Sequence, residues 1–296
     1  MLKITDYRNF KIDNQVFVKP DFMNHESVSG NKLRKLKYNL IEADIDGEST
    51  ILTFGGAFSN HISAVASAGQ LLGLKTIGVI RGEELVSKID SNPTLSYAQS
   101  CGMTLKFISR EHYRNKTSED FISTLQKEFG DFYLLPEGGT NALAVKGCEE
   151  ILTETDKVFD YICCAVGTGG TISGLINSAL PHQKIIGFPA LKGDFLTEEI
   201  TKFATHTNWE LMTNYHFGGY GKVNDTLIEF INNFKSTNNI QLDPIYTGKM
   251  MFGIYDLIEK GFFPKKSKIL AIHTGGLQGV EGMNQRLRQQ NKPLIV

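Results

Sequence analysis

Residues 161–171 read YICCAVGTGGT. Tyr161–Val166 is an apolar run that passes into Gly167-Thr168-Gly169-Gly170-Thr171 with no polar break. A short continuous apolar run suits a strand buried on both faces, the habit of parallel sheets covered by helices. Glycines directly after it allow a tight turn and bring backbone N–H groups to a helix N-terminus, where they attract an anion. The stretch therefore reads as strand, loop and helix start, with a ligand at the carboxyl end of the strand. The same order recurs elsewhere. Thr50–Phe54 ends in Gly55-Gly56 and precedes a small-residue helix over His61–Leu72; Lys268–His273 runs into Thr274-Gly275-Gly276. Lys75–Ile80, Thr104–Ile108, Phe132–Leu135 and Lys184–Phe188 read as further strands. Asn92–Ser100, with Pro93 near its start, Ser118–Phe129 and Asn141–Thr155 read as helices. This alternation predicts an α/β protein of two open, mainly parallel α/β domains. The pattern restarts after Pro136-Glu137-Gly138-Gly139-Thr140, which places a smaller domain over 35–139 and a larger one over 1–34 plus 140–296.

Composition narrows the class. With 296 residues, 41% hydrophobic content and a formal net charge of −1, the chain has material for a full core. It has no overall charge that would draw nucleic acid or an anionic membrane. Cys101, Cys148, Cys163 and Cys164 form no C-x-x-C pair, so buried reduced thiols are expected rather than a zinc site or a disulfide framework. The mixed polar stretch Met1–Phe10 does not read as a signal peptide, and no apolar run approaches the roughly 20 residues of a membrane span. A cytoplasmic protein is expected.

Five loops contain residues that can carry chemistry. In Ser29-Gly30-Asn31-Lys32-Leu33-Arg34-Lys35-Leu36, Lys32 and Lys35 lie three apart on one helix face. One amine can form an imine while the other meets a phosphate; the plain alternative is a solvated basic first turn. Gly167–Thr171 offers N–H groups and the Thr168 and Thr171 hydroxyls, but it is neither a Walker A motif nor a full G-x-G-x-x-G, because Ile172 fills the last place. Ser59 and Asn60, after Gly55-Gly56-Ala57-Phe58, either cap the next helix or hold a carboxylate or phenolic oxygen. Tyr220 stands among glycines in Gly218-Gly219-Tyr220-Gly221, and Tyr246 opens Tyr246-Thr247-Gly248-Lys249. Such tyrosines line a cleft or pack in the core. The Thr274 hydroxyl, in His273-Thr274-Gly275-Gly276, can meet a ring nitrogen. His25, His112, His182, His206 and His216 show no ligand spacing, and the acidic residues form no evident catalytic pair. A nucleotide-binding oxidoreductase would need an acidic residue about 20 positions after the glycine loop. Phe188–Leu191 offers none, and Lys192 follows.

Taken together, G-N-K-x-R-K-L, the S-N after a double glycine, G-T-G-G-T, Y-T-G-K and H-T-G-G resemble, in order and spacing from about Val16 to Gly276, the pyridoxal-phosphate (PLP) enzymes of the tryptophan-synthase-β fold type. Within it the chain is most similar to the family of 1-aminocyclopropane-1-carboxylate (ACC) deaminase and D-cysteine desulfhydrase. The resemblance implies PLP in a cleft between two domains, a small amino-acid substrate and a homodimer. It makes Lys32 the Schiff-base lysine and the base for the Cα proton. Lys35 would meet the phosphate together with Gly167, Thr168, Gly169, Gly170 and Thr171. Asn60 would meet the phenolic oxygen, and Ser59 the substrate carboxylate, with a further role as base or nucleophile left open. Tyr246 would stack near the pyridine ring, Tyr220 would face the substrate, and Thr274 would meet the ring nitrogen.

Three positions bear on the reaction. ACC deaminases typically carry Glu after the second tyrosine, Leu in H-x-G-G and Gln after S-N; this chain has Thr247, Thr274 and His61. A neutral residue at the ring nitrogen weakens the electron sink, which suits elimination of an easily leaving thiolate better than opening a cyclopropane without an α-hydrogen. The expected activity is a PLP-dependent lyase converting D-cysteine to pyruvate, sulfide and ammonia. ACC deamination to 2-oxobutanoate is the alternative, followed by another PLP β-elimination or a racemase. The chain departs from the family pattern at Lys19-Pro20-Asp21-Phe22, where Lys-Arg-Asp-Asp is usual, and at Ser63, in a region where an arginine is common.

Overall fold

A computed structural model describes Leu2–Val296. Its strands are β1 (Phe10–Lys11), β2 (Val16–Lys19), β3 (Thr50–Gly55), β4 (Lys75–Arg81), β5 (Thr104–Ile108), β6 (Tyr133–Leu135), β7 (Tyr161–Val166), β8 (Lys184–Pro189), β9 (Trp209–Leu211) and β10 (Ile269–Ile272). They form a six-stranded sheet in the order β1-β2-β10-β7-β8-β9 and a four-stranded sheet in the order β5-β4-β3-β6. All pairings are parallel except that of β1 with β2. The α/β architecture expected from the sequence is therefore present.

The helices are α1 (Asn31–Ile45), α2 (Asn60–Leu72), α3 (Pro93–Ser100), α4 (Arg110–Arg114), α5 (Glu119–Phe129), α6 (Ala142–Glu149), α7 (Gly170–Ser178), α8 (Phe195–Thr201), α9 (Asp225–Asn238), α10 (Thr247–Glu259) and α11 (Gly279–Gln289). α6 to α11 cover both faces of the large sheet, which explains its unbroken apolar strands. Along β7, Cys163 and Ala165 face the core built with α9 and α10, while Ile162, Cys164 and Val166 face the core built with α6, α7 and α8. Ile269 and Ala271 of β10 join the first core, and Leu270 and Ile272 the second. Period-two alternation with both faces buried leaves no polar position in the run. In the small sheet, Ile51 of β3 packs toward α1, α2 and α3, and Leu52 and Phe54 pack on the opposite face toward α5. All four cysteines are buried and free.

One predicted element divides. The helix expected over Asn141–Thr155 ends at Glu149, and a 3-10 turn follows over Glu154–Val158. Thr153 and Asp156 form a reciprocal cap that starts this new turn and stops the first helix from continuing. Asp156 is buried and also takes the Lys19 ammonium at 2.6 Å, so the cap is anchored to β2. Among the described residues, no helix is long and apolar enough to cross a membrane.

Candidate active site

The start of α1 is held against the end of β10. Gly30, with φ of 69°, lies so near the Thr274 carbonyl that an added Cβ would stand 2.0 Å from that oxygen. Only glycine fits there, in both space and backbone conformation. The Asn31 N–H donates to the same carbonyl at 3.2 Å. Lys32 and Lys35 then share one face of α1, and both donate to the Gly138 carbonyl, at 3.2 and 3.1 Å. Lys35 also donates to Thr140 Oγ1 at 2.8 Å and Thr168 Oγ1 at 3.3 Å. An added Cβ on Gly170 would lie 3.1 Å from Lys35 Nζ, so this ammonium sits against the first turn of α7. Asn31 Nδ2 donates to Thr171 Oγ1 at 2.8 Å.

Neither lysine has a carboxylate within ion-pair distance among the described residues. Lys35 is 2% exposed, so the plain reading of this segment as a solvated basic turn is wrong. Its cause is tertiary: α1 packs along α6 and buries the face that carries Lys35. Burial pushes both amines below the usual lysine range, and for Lys32 the Lys35 charge adds to the effect. Lys32 as a whole is half-buried.

The loop after β3 supplies the opposite wall. Ser59 is the N-cap of α2, its Oγ accepting from the Ile62 N–H at 3.3 Å, so the capping reading holds for its hydroxyl here. Asn60 Oδ1 accepts from Gln278 Nε2 at 2.7 Å, and its Nδ2 lies beside Gly276. Lys32, Asn60, Thr274 and Gly276 line one narrow cleft. It adjoins a wider cavity of about 740 Å³, with Ser27, Ser29, Ser63 and Gln278 lining both.

The tyrosines meet above the glycine loop. Tyr246 Cε1 is 3.2 Å from where a Gly167 Cβ would be, so the ring lies against that loop. Exposed Tyr220 meets it edge-on, with centroids 6.2 Å apart. Lys249 fixes this pairing by donating to the carbonyls of His216 and Gly219, each at 2.9 Å. Burial lowers its pKa to about 8. Thr247 is turned away from the cleft: its N–H and hydroxyl both serve the buried Asp243 carboxylate, which also takes the Ile245 and Tyr246 N–H groups and so starts α10.

The structure thus brings Lys32, Lys35, Asn60, Thr274 and the Gly167–Thr171 loop to one place, where the strand ends of both sheets converge. A match to the family model described as pyridoxal-phosphate dependent enzyme covers residues 4–275. The chain belongs to this family. As a member of the PLP-dependent enzymes, it is 31% identical to a Pyrococcus horikoshii protein provisionally named a 1-aminocyclopropane-1-carboxylate deaminase, over 91% of this chain and 86% of that one. It is 30% identical to a mitochondrial protein of Arabidopsis thaliana named bifunctional D-cysteine desulfhydrase/1-aminocyclopropane-1-carboxylate deaminase, over 90% of this chain and 73% of that one. A crystal structure described as an ACC deaminase homologue superposes with a TM-score of 0.82 at 28% identity, covering 93% of this chain and 88% of that one. The fold is that of the tryptophan-synthase-β-like PLP enzymes, and the chain is an enzyme of the ACC deaminase/D-cysteine desulfhydrase group.

The donor set fits PLP. Two cationic amines without a carboxylate partner, the Thr140, Thr168 and Thr171 hydroxyls and the unpaired first-turn N–H groups of α7 make a cradle for a phosphate. Residues that the sequence did not mark as part of it complete the cradle: the Gly138 carbonyl, Thr140 and Asn31; Asp243 and Gln278 support the neighbouring Tyr246 and Asn60. Gly138-Gly139-Thr140 carried the same glycine-then-threonine signal as the main loop but reads first as a domain break.

Proposed function

We propose that this PLP-dependent enzyme is a D-cysteine desulfhydrase. The observation that carries the reading is the neutrality of the cleft around Thr274. Thr274 lines the cleft with Lys32 and Asn60, and among the described residues no carboxylate lines it with them. Asp243 lies close behind Gly276, but both its oxygens are occupied by three backbone N–H groups and the Thr247 hydroxyl.

In this reading Lys32 would be the attachment point, and Lys35 with Thr168, Gly169, Gly170 and Thr171 would hold the phosphate. Asn60 would hold the phenolic oxygen, Tyr246 would lie against the pyridine ring and Thr274 would meet its nitrogen. Bound PLP supplies an electron sink for charge left at the substrate Cα. Lys32 Nζ, whose pKa burial pushes below the usual lysine range, takes the Cα proton. Ser59 and the first turn of α2 orient the substrate carboxylate. Tyr220, fixed by the Lys249 clamp, covers the outer side. Sulfide leaves from Cβ, and one water completes the conversion of D-cysteine to pyruvate, hydrogen sulfide and ammonia. The four-stranded part, 35–139, closes over the remainder to exclude bulk water.

ACC deamination is the second reading, supported by the names of the relatives. Pyruvate and sulfide from D-cysteine, with no 2-oxobutanoate from ACC, is the expected outcome of offering D-cysteine, L-cysteine and ACC side by side to PLP-loaded protein. Release of 2-oxobutanoate would overturn the assignment.

A further inference from the structure

The helix that carries Lys32 begins at a residue that cannot cap it. Gly30 is the N-cap of α1, and the Thr274 carbonyl beside it leaves no room for a side chain. Glycine has no side-chain oxygen to offer the first turn. The start of α1 is held instead by Asn24, six residues earlier. Asn24 Oδ1 accepts from the Gly30 N–H at 2.9 Å, and its Nδ2 donates to the Gly30 carbonyl at 3.0 Å. That carbonyl also takes the Leu33 N–H at 3.1 Å, the bond that opens the helix. One amide, itself 0% exposed, therefore fixes both backbone groups of residue 30.

Asn24 is fixed in turn. Its N–H donates to the Asp21 backbone carbonyl at 3.1 Å, and its Nδ2 also reaches the Asp21 carboxylate at 3.2 Å. The Phe22 N–H donates to the His273 carbonyl at 3.1 Å, which ties this turn to the end of β10. The buried Asp21 carboxylate also receives Arg34, through Nε at 3.1 Å and Nη2 at 3.0 Å, and the Tyr7 hydroxyl. Arg34 Nη1 continues to the Glu150 carbonyl just after α6, at 3.2 Å. Gly30 and Arg34 flank Lys32, two positions before it and two after. Both are tied to one carboxylate, Gly30 through Asn24 and Arg34 directly. Lys32 Nζ has a single hydrogen-bond partner among the described residues, the Gly138 carbonyl.

We propose that Asn24 is a positioning residue for Lys32, with Asp21 as its anchor. The lysine amine sits on a long flexible chain, so its place in the cleft depends on where the backbone of α1 begins. Asn24 sets that point. Without its amide, the Gly30 N–H and carbonyl turn to water, and the first turn of α1 frays and carries Lys32 out of line. A displacement of about 1 Å at a reacting group costs up to about 100-fold in rate. Asn24 does not line the cleft; it acts through residue 30. The inference rests on the reading of Lys32 as the attachment point.

The molecule contains a matched control. Asn284 makes the same two-point bracket on Ile295, donating to its carbonyl at 2.8 Å and accepting from its N–H at 2.9 Å, and neither residue lines the cleft. Asn24→Ala and Asn284→Ala therefore remove like bonds and separate positioning from loss of stability. Cofactor-free wild type and variants are mixed with PLP and reduced with borohydride at successive times. The mass of the Lys32 peptide then reads attachment without turnover. We expect attachment at Lys32 to slow about 10- to 100-fold in Asn24→Ala and to stay within about threefold of wild type in Asn284→Ala. Attachment at the wild-type rate in Asn24→Ala, or equal slowing in both variants, overturns the proposal. Amide hydrogen exchange of cofactor-free wild type needs no variant to fold. The Gly30 N–H should be protected at least about a hundredfold more than that of exposed Glu26 in the same loop, and equal protection overturns the proposal. Attachment of PLP to another lysine in wild type overturns the Lys32 reading and the proposal with it, whereas attachment at Lys32 without the Asn24 effect overturns the proposal alone.

Discussion

Replacing Lys35 by methionine should weaken cofactor binding without harming the fold. The ammonium is buried and has no carboxylate partner among the described residues, and it shares its acceptors. After Lys35→Met, Gly138 still receives Lys32, and Thr140 and Thr168 still bond each other at 2.6 Å, so no acceptor is orphaned. A cation about 4 Å from one phosphate charge at an effective dielectric near 20 contributes about 4 kcal/mol, and the loop amides and hydroxyls retain part of the phosphate's binding. A loss of roughly 2–4 kcal/mol corresponds to about 30- to 1,000-fold weaker binding. The cofactor-free protein should keep its stability or gain up to about 4 kcal/mol, because an unpaired buried charge gives way to an apolar chain of similar length. The sign with pH follows from the lowered pKa. The unfolded chain holds more protons than the native state between the lowered value and the ordinary one, so wild-type stability rises over that range and any advantage of the variant shrinks. Spectroscopic PLP titration and urea denaturation of the cofactor-free forms measure the two effects. Wild-type affinity in the variant, or a loss of more than about 2 kcal/mol without cofactor, would refute the reasoning.

Three further predictions follow from particular contacts. Ser59→Ala removes the α2 cap at a cost of about 1 kcal/mol and should retain the bound-cofactor absorbance while slowing turnover; unchanged turnover would limit Ser59 to capping. Lys249→Met releases the His216 and Gly219 carbonyls, so the substrate KM should rise with cofactor affinity intact. With a folded pKa of about 8 against an ordinary value of 10.5, wild type should also gain stability relative to this variant as the pH rises from 8, and parallel denaturation curves would show otherwise. Asp156→Asn strands the buried Lys19 ammonium and should cost about 3–5 kcal/mol in urea denaturation, well beyond the effect of an exposed pair such as Lys184–Glu210.

The strands that position the site were legible because burial on both faces writes a continuous apolar run, as in Tyr161–Val166. Their glycine endings gave the ligand loops for the same reason: close backbone approach excludes a Cβ. The division of the Asn141–Thr155 segment was not legible, since Thr153 and Asp156 act as a cap only once Asp156 is buried against Lys19. Nor was the burial of Lys35, which depends on the packing of α1 along α6 rather than on the charge pattern of its own segment. Thr247 was read as a neutral neighbour of the ring, but its hydroxyl is spent on Asp243 four residues earlier, leaving Thr274 to line the cleft.

The most direct test of the account is D-cysteine turnover by wild type and Lys32→Ala, both incubated with PLP, with pyruvate and sulfide measured together and the borohydride-reduced proteins weighed. The account predicts equimolar pyruvate and sulfide from wild type, with added cofactor mass on the Lys32 peptide, and neither product nor added mass at residue 32 in the variant. Undiminished pyruvate and sulfide from Lys32→Ala would contradict it.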